Sequence, residues 1–377
     1  MIRGLAAFAA AGWAALFASS VCSRRAIRQP ERAPARDHAP TISVIVPARD
    51  EERDIEETLA RLRAQRYPAF EIVAVDDRSS DGTAAAMARA AQGDPRVTIV
   101  AGSEPPAGWL GKPWACAQGA TVAQGAWLCF TDADVRFAPD TLSSALAFAE
   151  SAGQGGATLS PRLLCESFWE RTVQPVATLA ITALIAPPVL SQRPDAPIAL
   201  AAGAFILVRR ELYEQAGGHA AVRDRVADDL ALGRAVKRAG GLLVLGHGDD
   251  LLEVRMYHGH RELWRGWRKN AAYGLPGGAP AAFAGAASAA LGAVVPPLAL
   301  IGGLRRGDPS LARSGAIGLV ALIALRASDR RTAPTPLAYA VTAPLGLAWI
   351  AAVTFVAAVD RMRGGSRWRG RRYAFAR

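Results

Sequence analysis

The chain has 377 residues, 51% of them hydrophobic and 20% charged, with a formal net charge of +11. That composition excludes a disordered chain, and four cysteines in this length form no disulfide framework. The basic charge is concentrated: six Arg against Glu31 and Asp37 in 1–40, six Arg against Asp308 and Asp329 in 304–331, and seven Arg against Asp360 in 360–377. The remainder is slightly acidic. Arginines that flank apolar runs mark a membrane protein, so no nucleic-acid partner is expected.

Leu5–Val21 is apolar and is followed by Arg24, Arg25 and Arg28. Ser19-Ser20-Val21-Cys22 is a poor cleavage site. Residues 1–23 are therefore expected to be an uncleaved anchor, with 24–40 a basic linker and the bulk of the chain in the cytoplasm. A domain follows over 41–275. Ile42–Ala48 reads as a strand, Glu51–Arg66 as a helix, Glu71–Asp77 as a strand and Asp81–Gln92 as a helix. Val97–Val100 is the next strand, Trp114–Ala123 a helix and Ala126–Phe130 a strand. Alternating strands and helices predict an α/β fold with a parallel sheet, whose ligands gather beyond the carboxyl ends of the strands.

Thr172–Leu190 is uncharged but contains Pro175, Pro187 and Pro188, and is expected to be interfacial or buried rather than spanning. Residues 281–359 form a C-terminal membrane region. Ala281–Gly303 and Leu337–Val359 are each long enough to cross, whereas the apolar run Gly315–Leu325 is short. Two crossings here would return the basic tail 360–377 to the cytoplasm. The expected location is the cytoplasmic (inner) membrane, with several passes and the 41–275 domain facing the cytoplasm.

The polar residues of the domain collect at predicted strand ends. Asp76 and Asp77 open the turn Asp76–Thr83, where a carboxylate at a strand end suits a nucleobase or ribose hydroxyl; a capped turn is the plainer reading. Asp132-Ala133-Asp134 follows an apolar strand. Carboxylates two residues apart share a face in an extended chain and suit a hard divalent cation, Mg²⁺ or Mn²⁺. Lys112, between Gly111 and Pro113 near a helix start, is placed to approach a diphosphate. Asp228 and Asp229 open an amphipathic helix, either as an acidic first turn or as a general base. Trp264, Trp267 and Arg268 belong to an interleaved Trp/Arg stretch that suits an interfacial helix.

Taken in order, these segments resemble family 2 glycosyltransferases of the GT-A fold, a Rossmann-like domain with a mostly parallel sheet. The likeness rests on the Ile42–Pro47 strand with Arg49-Asp50-Glu51-Glu52, DDRSSDGT, GWLGKPWACAQG, FTDAD, AGAFILVRRELYEQAGGH, DDLALGRAVKRAGG and RMYHGHRELWRGWRKN. GWLGKPWA, the Trp264–Asn270 stretch and the tail from Trp368 to Tyr373 bring it nearest the membrane-anchored bacterial enzymes of hopanoid and carotenoid lipids. The resemblance implies nucleotide-sugar contacts from Pro47, Glu51, Asp76, Asp77, Lys112 and Asp132, and a divalent cation on Asp134 and Asp132. It implies a catalytic base at Asp229, with Asp228 where the family has Glu. Gly203, Trp264, Trp267 and Arg268 would lie on the acceptor and diphosphate side. A Q-x-x-R-W motif is absent, which favours transfer of a single sugar to a lipid hydroxyl over polymer synthesis. A polyprenyl-phosphate or envelope-glycan transferase, or a non-catalytic nucleotide-binding scaffold, are the alternatives.

Overall fold

The computed structural model describes residues 2–275, 277–368 and 371–374; Arg369, Gly370 and the last three residues of the basic tail lie outside the described residues. The chain divides into two compact units, one of residues 26–163 and 188–255, the other of 1–25, 164–187 and 256–377. Helix α1 (Ile2–Arg24) opens the chain and belongs to the second of these.

The first unit is built on β1 (Ile42–Ala48), α2 (Ile55–Arg63), β2 (Phe70–Asp76), α3 (Thr83–Ala91), β3 (Val97–Ala101), α4 (Gly111–Val122) and β4 (Trp127–Phe130). β1 pairs in parallel with β2 and β4, and β2 with β3. Ile42, Val44, Ile45 and Val46 are wholly buried, as in a strand covered on both faces. Then come β5 (Val135–Phe137), α5 (Thr141–Ala152), β6 (Gly155–Leu163), α6 (Phe168–Ala180) in the other unit, α7 (Pro188–Ser191), β7 (Ile206–Arg209), α8 (Arg210–Gln215), α9 (Asp228–Arg238) and β8 (Leu242–Val254). The strand order is β3-β2-β1-β4-β7-β6-β8-β5. β7 runs antiparallel to β4 and β6, and β5 to β8, while β6 and β8 are parallel. The sheet is therefore mostly parallel, with β7 reversed beside β4.

Three helix starts differ from the sequence expectation. α3 begins at Thr83 rather than Asp81, whose side chain accepts the Thr83 N–H at 3.0 Å. α2 begins at Ile55 rather than Glu51: residues 51–54 form a turn in which the Asp54 N–H donates to the Glu51 carbonyl at 3.1 Å, and the N–H groups of Asp50, Glu51 and Glu52 donate to Ser79, Thr83 and Asp81. These bonds staple the loop after β1 to the loop after β2. α4 begins three residues earlier than expected, which places Lys112 in its first turn.

The second unit adds α10 (His260–Gly274), α11 (Gly278–Arg306), α12 (Pro309–Ser328) and α13 (Ala343–Met362). Among the described residues four segments are long and apolar enough to cross a membrane: Ile2–Arg24, Gly278–Arg306, Pro309–Ser328 and Leu337–Met362. The Gly315–Leu325 run, short by itself, is the middle of the 20-residue α12. Asp308 caps the helix by accepting the Leu311 N–H at 3.1 Å, and Pro309 takes the first position. α6 carries Pro175 and passes into a π-helical turn over Ile181–Ile185. Its Val173 and Ala177 pack with Trp267, Trp349 and Val353, so the 172–190 stretch is no continuous apolar helix.

Small residues let the backbones of α11 and α12 touch. A Cβ at Gly315 would meet the Leu300 backbone, whereas one at Gly285 meets nothing within 4 Å. Gly315→Val should lower the melting temperature of the detergent-solubilised protein, at a cost of about 1–3 kcal/mol or more. Gly285→Ala should leave it unchanged or raise it; equal melting of Gly315→Val and wild type would contradict the packing.

Candidate active site

The loops beyond the carboxyl ends of β1, β2 and β4 carry the polar residues that the sequence singles out. Pro47, at the end of β1, lines a cleft of about 270 Å³ with Lys112, Thr131, Gly203, Asp228 and Asp229. Asp77 is 4% exposed. Its N–H donates to the Ala48 carbonyl at 2.8 Å, and Arg49 donates to its own carbonyl at 2.8 Å. Asp76 turns back and accepts the Ser79 N–H at 3.1 Å. The plain reading of Asp76 as a turn-capping residue therefore holds in this fold, while Asp77 is anchored between two loops.

The Asp132-Ala133-Asp134 loop is pinned by two threonines. Thr131 donates to the Ala204 carbonyl and Thr58 to the Ala133 carbonyl, each at 2.8 Å. Ala133 is buried, so the loop turns its apolar member inward and leaves both carboxylates half-exposed. Lys112 Nζ lies 2.6 Å from Asp132 Oδ1 and 4.0 Å from Asp228 Oδ1. Asp229 accepts the Gly203 N–H at 3.1 Å on one oxygen and the Leu230 N–H at 2.7 Å on the other. A Cβ on Gly203 would stand 3.3 Å from each of Asp132 Oδ2, Asp229 Oδ2 and Lys112 Nζ. Glycine at 203 thus keeps open the one spot on which acid, base and cation converge.

The electrostatics follow from burial and charge. Burial, then the carboxylates Asp132, Glu51 and Asp54, hold the Asp134 carboxyl well above the usual carboxylate range. Carboxylates crowded in this way favour a cation among them, and their all-oxygen donor set fits Mg²⁺ or Mn²⁺. Burial by itself would lower the pKa of the Lys112 ammonium, but Asp132 and Asp228 outweigh it and keep the group charged. Burial pushes Asp228 up to about 6 against the pull of Lys112. Asp229 is raised as well, chiefly by burial, with Lys112 and the Leu230 N–H opposing.

Four residues in or beside the site are not evident from motif spacing. Asp54 joins the acidic group only because the 50–54 loop folds back on the 79–83 loop. Cys116, His219 and Tyr213 form the floor. Tyr213 Oη stands 2.9 Å from His219 Nδ1 and accepts the His219 N–H at 3.1 Å. Burial, then Lys112, lowers His219 to about 3, and burial raises the Cys116 thiol. Cys116, His219 and Asp228 offer atoms within 4.8 Å of one another, yet a protonated thiol and a neutral ring beside an ammonium make a packed floor, not a cation site. The available signal was Gly217-Gly218 before His219: both have positive φ, and a Cβ at Gly218 would strike the Tyr213 ring.

Trp264, Trp267 and Arg268 belong to the other unit. There Trp267 donates to Gln174 at 2.6 Å, Arg268 pairs with Asp360 at 2.5 and 2.6 Å, and Trp264 stacks edge-on to Trp349.

Residues 43–217 match the family described as Glycosyl transferase family 2. Proteins named 4,4'-diaponeurosporenoate glycosyltransferase from Staphylococcus aureus are similar, at 27% identity over 243 residues in strain USA300 and 28% in strain MRSA252. The match takes in 63% of this chain and 63% of theirs, so the chain spans just under two thirds of the length of these relatives. Among solved structures, a mannosyltransferase from Pyrobaculum calidifontis in complex with GDP-Man and Mn²⁺ superposes with a TM-score of 0.56 at 24% identity, over 96% of this chain and 99% of that one. That likeness shows the fold. Residues 43–217 thus match the family 2 glycosyl transferase model, within a unit that has the GT-A fold.

Proposed function

We propose that the protein is a membrane-bound, inverting glycosyltransferase that moves a single sugar from a nucleotide-sugar donor to a lipid hydroxyl of isoprenoid type, at the cytoplasmic face of the membrane. The observation that carries this reading is the convergence of Lys112, Asp132 and Asp229 on Gly203. A cation and a carboxylate base flank one small open space, which is what displacement at an anomeric carbon needs. The family match supports glycosyl transfer, and the name of the Staphylococcus relatives supports a lipid acceptor of carotenoid type.

In this reading Asp77 receives hydrogen bonds from the nucleoside, with Pro47 and Glu51 beside it. Asp134 and Asp132 hold a divalent cation, which supplies positive charge to the diphosphate when bound. Lys112 exchanges its bond to Asp132 for the diphosphate and offsets the charge that develops as the sugar–oxygen bond breaks. Asp229, fixed by the Gly203 and Leu230 N–H groups, takes the proton of the attacking hydroxyl. Both line the cleft, but Asp228 is 6% exposed and lies 4.0 Å from Lys112, while Asp229 is the more open of the two; in this reading Asp229 is the base and Asp228 holds Lys112 in place. One displacement inverts the anomeric configuration.

Transfer of labelled sugar to extracted membrane lipid tests the reading. Asp229→Asn should lower the rate about 10²–10⁴-fold, and Asp134→Asn should abolish the metal dependence. Wild-type turnover by Asp229→Asn would overturn the assignment. The pH profile is a second check. The base works only when ionised, and the Asp228–Asp229 pair is raised, so protons are held to higher pH than on an ordinary carboxylate, near 4. kcat/KM should therefore fall on the acid side at a pH above the ordinary carboxylate range; a limb near 4 would contradict the burial of the pair.

A further inference from the structure

Among the described residues four segments have the length and apolarity to cross a bilayer, but their positions along the bundle separate one from the other three. α1 and α12 run side by side in the same direction: Arg3 pairs with Asp308 at 2.7 Å at one end, and Arg24 donates to Ser328 at 2.6 Å at the other. Between those two polar layers lie the 20 residues of α12, about 30 Å at 1.5 Å per residue, the thickness of the hydrocarbon core. α11 returns against α12, with Gly303 on Ala312, Gly315 on Leu300 and Gly318 on Pro296. These three helices span the same slab.

α13 is displaced along the bundle. It starts part-way into the slab, where Ala343 and Leu347 cluster with Ala293 of α11 and Leu322 of α12, Trp13 of α1 packing alongside. It ends where α11 begins, its Arg361 donating to the Leu275 and Gly278 carbonyls at 2.5 and 2.7 Å. From Trp349 to Asp360 it is paired with α10, through Trp349 to His260 at 3.0 Å and Asp360 to Arg268. α10 carries Arg261, Glu262, Arg265, Arg268 and Lys269 within 15 residues. A helix so charged lies outside hydrocarbon, and it fixes the second half of α13 there too. Before α13, the short 3-10 helix Leu337–Thr342 exposes Leu337 at 62% and Val341 at 66%, apolar surface suited to lipid tails rather than water.

We propose that Leu337–Met362 is a re-entrant segment that enters and leaves one leaflet from the Arg24 end of the bundle, and that the chain crosses the membrane three times, through α1, α11 and α12. The charge agrees. Arg24, Arg25, Arg326, Arg330, Arg331 and, on α13, Arg361 gather at that end, against Arg3, Arg305, Arg306 and Arg313 at the other, which makes the Arg24 end cytoplasmic. The sequence alone pairs α11 with Leu337–Val359 as the C-terminal crossings; α13 does pack along the first half of α11, but it is α12 that runs between both polar layers. The inference does not depend on the proposed activity.

The test is labelling with a membrane-impermeant maleimide in intact cells of the expression host and in inverted vesicles. The full-length protein, with Cys22 and Cys165 replaced by Ser, would carry Arg25→Cys, Ser310→Cys, Arg330→Cys or Arg363→Cys, all at exposed positions. Residues 25, 330 and 363 should label from the vesicle side that is cytoplasmic, and 310 only from the opposite side. Labelling of 330 together with 310 would show that Leu337–Met362 crosses in place of α12 and would overturn the proposal, as would labelling of 363 together with 310. Protease removal of a C-terminal tag gives an independent readout: it should occur in inverted vesicles and fail in intact cells, and the reverse would show that α13 crosses.

Discussion

The pairing of Lys112 with Asp132 in a half-buried cleft is the interaction on which the candidate site depends. Five carboxylates, Glu51, Asp132, Asp134, Asp228 and Asp229, are brought to one end of the sheet, and a single lysine in the first turn of α4 bridges two of them. Acids gathered in this way are unfavourable unless a positive charge sits among them. The resting protein supplies Lys112 on one side of Gly203. On the other side, around Asp134, the strongest neighbouring charges are carboxylates, and in the proposed reading a divalent cation would supply the balance.

Positioning is accomplished by short-range devices rather than by a rigid shell. Thr131 anchors the start of the acidic loop on the Ala204 carbonyl, and Thr58 holds the Ala133 carbonyl at its centre. The 50–52 amides hold the loop after β2 through Ser79, Asp81 and Thr83. Gly203 contributes an N–H to Asp229 and the absence of a side chain where three charged groups meet. Beneath them the His219–Tyr213 pair is buried and uncharged at neutral pH, so the floor adds shape without adding charge.

Much of this arrangement is legible in the chain because it is local. Carboxylates that follow an apolar strand, as at Asp76, Asp77, Asp132 and Asp134, or that open an amphipathic helix, as at Asp228 and Asp229, carry their position with them. What is not legible depends on contacts between distant segments. The reversal of β7 beside β4 follows from no local pattern, since Ile206–Arg209 reads as a strand in either direction. Asp54 reaches Asp134 only through the folded-back loop, and α2 starts late because residues 51–54 are taken up in the turn that closes that loop. In the helical unit, hydropathy identifies Leu337–Val359 as a span and undervalues Gly315–Leu325. It does not register that α10 lies along α13, nor that Asp308 and Pro309 extend α12.

The central claim is that Asp132 and Asp134 hold a divalent cation that serves a diphosphate beside Lys112. Titration of Mn²⁺ into the purified full-length protein, followed by electron paramagnetic resonance with and without nucleoside diphosphate, addresses it most directly. The account predicts weak binding alone, much tighter binding with the diphosphate, and loss of that gain in Asp134→Asn. Nucleoside diphosphate that binds equally well in EDTA, to wild type and to Asp134→Asn alike, would contradict it.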